Sequence, residues 1–524
     1  MLDITIVFLV VNLFLMLVMI PNIMFNMGYS YVPFVGAYQL FKSNGLNLPW
    51  VYLVSLMLAA FGMFFIVNFV KEKVKKDKNA RWATFFDLFF SEINFKEGIV
   101  LGKKGFNYLF TKTNTSILLF APPGTGKTAG FIIPTMFTCS NSIVVHDPKG
   151  EIYAKTKEQR SKFSDILVFS PSMKESCVFN PFDSNMIKAS NKNVADYVEM
   201  VLSILMPNSA ETSGNGKFFN DRAKLAISTI ACYLIELNGS TSLPDIRDFY
   251  TSQDAKEVFK AILRDPKISD LKYLVSLCND ISNDTHSSEQ WSGVSGCISN
   301  ILSVYASENV RNAMSGNSSF AIEDLRNHEI KPITIYLIVP DQDRDWLSPV
   351  ISLFFDRVSS NLLSNGEPKA EARSITLIMD EFPRLGKVKS LVDLPAISRS
   401  YKFNCIFVAQ TINQLYDIYG KDFAQVLQSF CKYRIVLKQN DIETANLISQ
   451  AIGKTVIKKE NVQTNQQGKS TSVTYEKDDL VSPQTITSLP EDKCIIISDL
   501  GTNTPIFASI PFWFNNRRLI TWLD

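Results

Sequence analysis

Apolar residues are distributed along the chain in three distinct ways. Ile4–Ile20 is apolar at every position except Thr5 and Asn12, and Leu48–Val70 is a second uncharged, largely apolar run. As a helix, the second run would extend about 35 Å, enough to cross a hydrocarbon core with some tilt. Two membrane helices are therefore expected, at about residues 4–25 and 48–70, forming an anchor over residues 1–70. Lys71, Lys73, Lys75, Lys76, Lys78 and Arg81 follow directly, whereas only Lys42 lies between the runs. That asymmetry predicts a multi-pass membrane protein whose large domain is cytoplasmic. A cleaved signal peptide would need a basic start, and Met1, Leu2 and Asp3 supply none.

Beyond the lysine cluster, short apolar runs bounded by turns alternate with helical stretches, which predicts an α/β fold with a mostly parallel sheet. The expected strands are Ser116–Phe120, Ser142–Val145, Ile166–Phe169, Ile333–Val339, Ile375–Met379, Cys405–Ala409 and Arg434–Leu437. Between the third and fourth, apolar residues recur at helical spacing, as in Val198, Val201, Leu202 and Leu205. Residues 191–327 are accordingly expected to be an all-α domain inserted between two parts of a sheet domain, 71–190 and 328–524. Lys458–Lys477 is polar and predicts a mobile loop. Cys494–Ile497 returns as a strand, with a turn at Gly501.

The strand Ser116–Phe120 runs into Ala121-Pro122-Pro123-Gly124-Thr125-Gly126-Lys127-Thr128, ahead of a helical stretch. A phosphate chain needs backbone N–H groups at close range, a cation and a hydroxyl for Mg²⁺; Gly124, Gly126, Lys127 and Thr128 provide them. Ala121 stands where the strict motif has its first glycine, which implies an ordinary φ there. The strand Ile375–Met379 is followed by Asp380 and Glu381, the first suited to hold the metal and the second to orient and polarise a water. Gln410 follows Cys405–Ala409 and is a candidate sensor of the γ-phosphate, with a capping role as its alternative. Arg399 is a candidate in-trans arginine or a plain surface cation.

Composition narrows the picture further. Lys and Arg number 53 against 51 Asp and Glu, a net charge of +2, so no global basic field advertises a polyanion partner. The eight cysteines are scattered without a C-x-x-C pair and the chain has three histidines, which indicates neither a zinc site nor a disulfide framework. The basic run Lys155, Lys157, Arg160 and Lys162 is expected to be a solvated helix face.

With Ile143-Val144-Val145-His146-Asp147-Pro148-Lys149-Gly150-Glu151, Asn180-Pro181-Phe182, Asp380-Glu381-Phe382-Pro383-Arg384-Leu385-Gly386 and Ala409-Gln410-Thr411 in this order, the chain resembles the type IV secretion coupling proteins, the VirD4/TraG-like group. The resemblance covers most of the chain from about residue 80 onward. It implies a RecA-like P-loop ATPase that binds ATP and Mg²⁺, an all-α domain, two membrane helices in the bacterial inner membrane, and a homo-hexamer. It further implies that Lys127, Thr128, Asp380, Glu381 and Gln410 hold catalytic places, with Arg399 as the finger. The implied partners are single-stranded DNA with relaxase-type or effector protein substrates, and other type IV secretion channel components. Asp147, Lys149 and Glu151 are left without an assigned role, Lys149 and Glu151 standing between nucleotide contact and a helix-capping turn. The alternatives are an FtsK-like DNA translocase and a receptor that does not hydrolyse nucleotide.

Overall fold

In the computed structural model, the described residues are 79–515, with interruptions at 85–86, 89–90, 112–113, 207–214, 253, 255–256, 285–287, 365, 387, 466–467 and 499–503. The segments 4–25 and 48–70 lie outside them. Among the described residues no helix is long and apolar enough to cross a membrane, and this overturns the expected multi-pass membrane placement.

The strands are β1 (Ile93–Asn94), β2 (Ile99–Lys104), β3 (Asn107–Thr111), β4 (Ser116–Phe120), β5 (Ser142–His146), β6 (Asp165–Phe169), β7 (Ile333–Leu337), β8 (Ile375–Met379), β9 (Phe403–Ala409), β10 (Tyr433–Val436), β11 (Lys454–Asn465), β12 (Gly468–Asp479), β13 (Lys493–Ser498) and β14 (Ile506–Ser509). Twelve of them form one sheet, in the order β1-β3-β2-β14-β13-β10-β4-β9-β8-β5-β7-β6. From β10 to β6 every pairing is parallel; from β10 outward to β1 every pairing is antiparallel.

The parallel strands read as unbroken apolar runs because both faces are covered. In β4, Leu118 and Phe120 enter one core and Ile117 and Leu119 the other. Burying each such side chain contributes about 1.5–3 kcal/mol relative to leaving it in water. One face is covered by α1 (Ile133–Thr138) and α2 (Glu151–Ser161), through Met136 and Ile152. The opposite core receives Leu347 and Phe354 of a long helix at Arg344–Ser364, together with Ile412 and Leu415 of a shorter one at Ile412–Tyr419.

Between β6 and β7 the chain is helical, from Ser184–Ala189 through Val194–Leu205 and Asn215–Asn238 to Glu308–Met314. Asp183, Asn193 and Ser242 cap three of these helices by accepting from the N–H groups of Asn185, Asp196 and Asp245. The helical region shares its core with the sheet: Tyr197, Val198 and Val201 join Leu118 and Phe120 of β4 in one buried cluster.

Two further expectations are corrected. Lys458–Lys477 is not a loop but lies within the β11–β12 hairpin, paired in register from Lys454↔Asp479 to Asn465↔Gly468. The hairpin forms a separate two-stranded sheet of mostly polar residues, and so leaves no apolar run to read. Arg160 is not on a solvated face. It is fully buried beneath α2, where it donates to Thr334 Oγ1 and to the carbonyls of Met136, Cys139 and Asn141.

Candidate active site

The turn after β4 is pinned at its first residue: Ala121 N–H donates to the Ala409 carbonyl at the end of neighbouring β9, at 2.9 Å. Thr125 Oγ1 donates to the Pro122 carbonyl at 2.7 Å and closes the loop. Gly124 and Gly126 take φ of +78° and +83°, the left-handed region that a side chain disfavours. Around Gly124 the space that a Cβ would occupy is open. From Thr128 the helix begins with a π-turn over Thr128–Ile132 before continuing as α1. Such turns recur at functional sites.

Strand β9 lies between β4 and β8 and pairs with both, so the turn and the acidic pair emerge at the same sheet edge. Lys127 Nζ is 2.8 Å from Asp380 Oδ1 and 3.5 Å from Glu381 Oε1. Thr128 Oγ1 stands 3.5 Å from Asp380 Oδ2. Glu381 Oε2 meets Arg384 Nη1 at 3.0 Å, and Arg384 in turn reaches Asp341 at 2.8 Å. The backbone of Glu381 is itself left-handed, φ +58°, a conformation that costs a non-glycine residue about 1–2 kcal/mol. Nothing in the sequence signals that strain, nor the role of Arg384 as the clasp of Glu381.

Beneath the pair, His146 Nδ1 donates to the Asp380 carbonyl at 2.8 Å; a carbonyl only accepts, which fixes the tautomer. Burial holds the imidazole below its usual pKa, against the pull of Asp380 and Glu381. Asp147 is 2% exposed and accepts from Tyr153 N–H at 2.8 Å, capping α2. Burial pushes its carboxyl up to about 6, although backbone donors at Tyr153 and Ile152 oppose the shift. Lys127, Thr128, Asp147, Lys149, Glu151, Asp380 and Glu381 line a common cavity, so Asp147 both holds the start of α2 and faces the site, and Lys149 and Glu151 face it.

Ala121, Pro122, Pro123, Gly124, Thr125, Gly126, Lys127, Thr128, Asp380 and Glu381 are thus brought together. Gln410 follows the last residue of β9 at the same edge, and its N–H donates to Gln414 Oε1 at 3.1 Å. Arg399 is not part of the group. It is exposed in the turn before β9, at the other end of a seven-residue strand spanning about 23 Å.

Residues 68–523 match the family described as type IV secretory system conjugative DNA transfer. The chain belongs to this family. The matched region takes in every site residue described above. Within the family, the chain is 26% identical over 384 residues to the conjugal transfer protein TraG of Escherichia coli, an alignment covering 70% of this chain and 59% of that one. It is 25% identical over 387 residues to VirD4 of Agrobacterium fabrum, covering 71% and 56%. The chain therefore spans less than two thirds of the length of these relatives. In fold it is similar to the bacterial conjugative coupling protein TrwBdeltaN70, unbound form, with a TM-score of 0.62, 18% identity, and coverage of 83% of this chain and 92% of that one. TrwB in complex with the non-hydrolysable ATP analogue ADPNP gives a TM-score of 0.61 at 18% identity, covering 83% and 94%.

Proposed function

We propose that the chain is the ATP-hydrolysing coupling protein of a type IV secretion system, moving single-stranded DNA with its attached relaxase-type protein, or effector proteins, towards the secretion channel. The observation that carries this reading is the convergence of Lys127, Thr128, Asp380 and Glu381 at one sheet edge, through β9 lying between β4 and β8. Residues 71–190 and 328–524 act as a RecA-like nucleotide-binding domain and 191–327 as an all-α domain. TrwB in complex with ADP and Mg²⁺ supports the same ligands here.

These residues suit magnesium and a nucleoside triphosphate. The backbone around Gly124 is unobstructed, and Lys127 Nζ, Asp380 Oδ1 and Glu381 Oε2 are buried with only ion contacts to one another and to Arg384. Magnesium takes one or two protein ligands beside phosphate oxygens, and Thr128 and Asp380 supply them. When bound, the triphosphate would supply the electrophilic phosphorus and magnesium would neutralise its oxygens. The loop N–H groups and Lys127 would grip the phosphates, Glu381 would orient a water and take its proton, and Gln410 is assigned to sensing the terminal phosphate. Arg399, remote from its own chain's site, is assigned to a neighbour's site in a homo-hexamer.

Lys127→Ala is expected to weaken binding of ATP to the purified protein more than tenfold, to abolish hydrolysis, and to stop substrate transfer in cells. Normal transfer by this variant would refute a motor.

A further inference from the structure

Past β14, residues 510–515 run along the phosphate loop and its helix. A Cβ at Gly130 would stand 2.3 Å from Ile510 Cγ2, and one at Gly126 would stand 2.4 Å from Phe512 Cε1. The Phe512 ring therefore lies directly on the backbone of the loop. Trp513 packs edge-on against Phe137 of α1, ring centroids 6.4 Å apart, which holds this segment down. Phe512 stacks on Phe514, centroids 5.4 Å apart and planes 20° from parallel, and Phe514 is 51% exposed. A stack of rings thus starts on the loop glycine and ends in water.

Phe512 is explained by the apolar core it joins, but Phe514 is not. A half-exposed phenylalanine held by a rigid aromatic neighbour is a stacking surface for another flat ring. We propose that Phe514, backed by Phe512, is the shelf on which the nucleobase of the bound nucleotide stacks. This rests on the reading of Pro122–Thr128 as a phosphate-binding turn. The Asn515 N–H beside the shelf offers no edge readout, being already given to the Phe512 carbonyl at 3.1 Å. Recognition by ring face is tolerant of base identity, so adenine and guanine nucleotides are accepted alike.

The test is a binding titration of the full chain, in Mg²⁺, with ATP, GTP and inorganic tripolyphosphate. Wild type is expected to bind ATP and GTP equally well, and both on the order of tenfold more tightly than tripolyphosphate. Phe514→Ala should weaken both nucleotides to that level and leave tripolyphosphate unchanged, while Phe514→Trp restores nucleotide affinity. If Phe514→Ala binds ATP as wild type does, or weakens all three ligands equally, the shelf is refuted. Binding of tripolyphosphate as tight as ATP by the wild type refutes the shelf and leaves the phosphate turn standing; binding of none of the three refutes both.

Discussion

Asp147 pairs a 2% exposure with a carboxyl raised to about 6 from an ordinary 3.8, so the folded protein holds a proton there that the unfolded chain releases. Its stabilising contribution is complete below pH ~4 and lost as pH rises through about 6, leaving a cost of at most about 3 kcal/mol at neutral pH. An asparagine at this position retains an oxygen that can accept from Tyr153 N–H without carrying charge. Asp147→Asn is therefore expected to raise the melting temperature by several degrees at pH 7.5 and not at pH 4. An equal effect at both pH values would show that the buried charge is not its origin. The convergence of Lys127, Thr128, Asp380 and Glu381 was expected from motif spacing, since the chemistry of phosphate and metal restricts the residue types. The left-handed backbone of Glu381 was not, and Arg384 was not singled out because its second partner, Asp341, follows β7 and meets it only in the folded sheet.

Elements whose burial is two-sided were readable, because a covered strand such as Ser116–Phe120 must be apolar throughout. The β11–β12 hairpin was misread for the converse reason: its strands are paired only with each other and carry no apolar stripe to read. Arg160 was misjudged because a guanidinium with carbonyl partners sits in a core without breaking the helical charge pattern. The approach of the tail after β14 to α1 was likewise invisible in sequence, being a contact between distant segments. It carries its own test. The Cβ of Gly130→Ala would collide with Ile510, so this change is expected to destabilise the protein by about 1–3 kcal/mol. Ile510→Ala makes room, and the double variant should be more stable than additivity of the two single changes predicts, as read by denaturant unfolding. Strict additivity would mean that the two elements are not in contact.

At the scale of the molecule, Arg399 and Lys127 lie at opposite ends of the parallel strands, so one chain does not bring both to one site. A mixture of Lys127→Ala and Arg399→Ala proteins, each inactive alone, is expected to regain part of the ATPase rate when oligomers are allowed to exchange subunits. No recovery would place Arg399 outside catalysis. The change of apolar period after Phe169 matches the helical elements between β6 and β7, whereas the membrane expectation rested on segments outside the described residues. The helical stretch leaves from β6 and returns in β7, its immediate parallel neighbour at the rim of the sheet. Parallel neighbours need only a crossover of a dozen or so residues, and everything longer is excursion. Evolution, or an engineer, is thus free to enlarge, trim or graft that region while the nucleotide machinery keeps its threading.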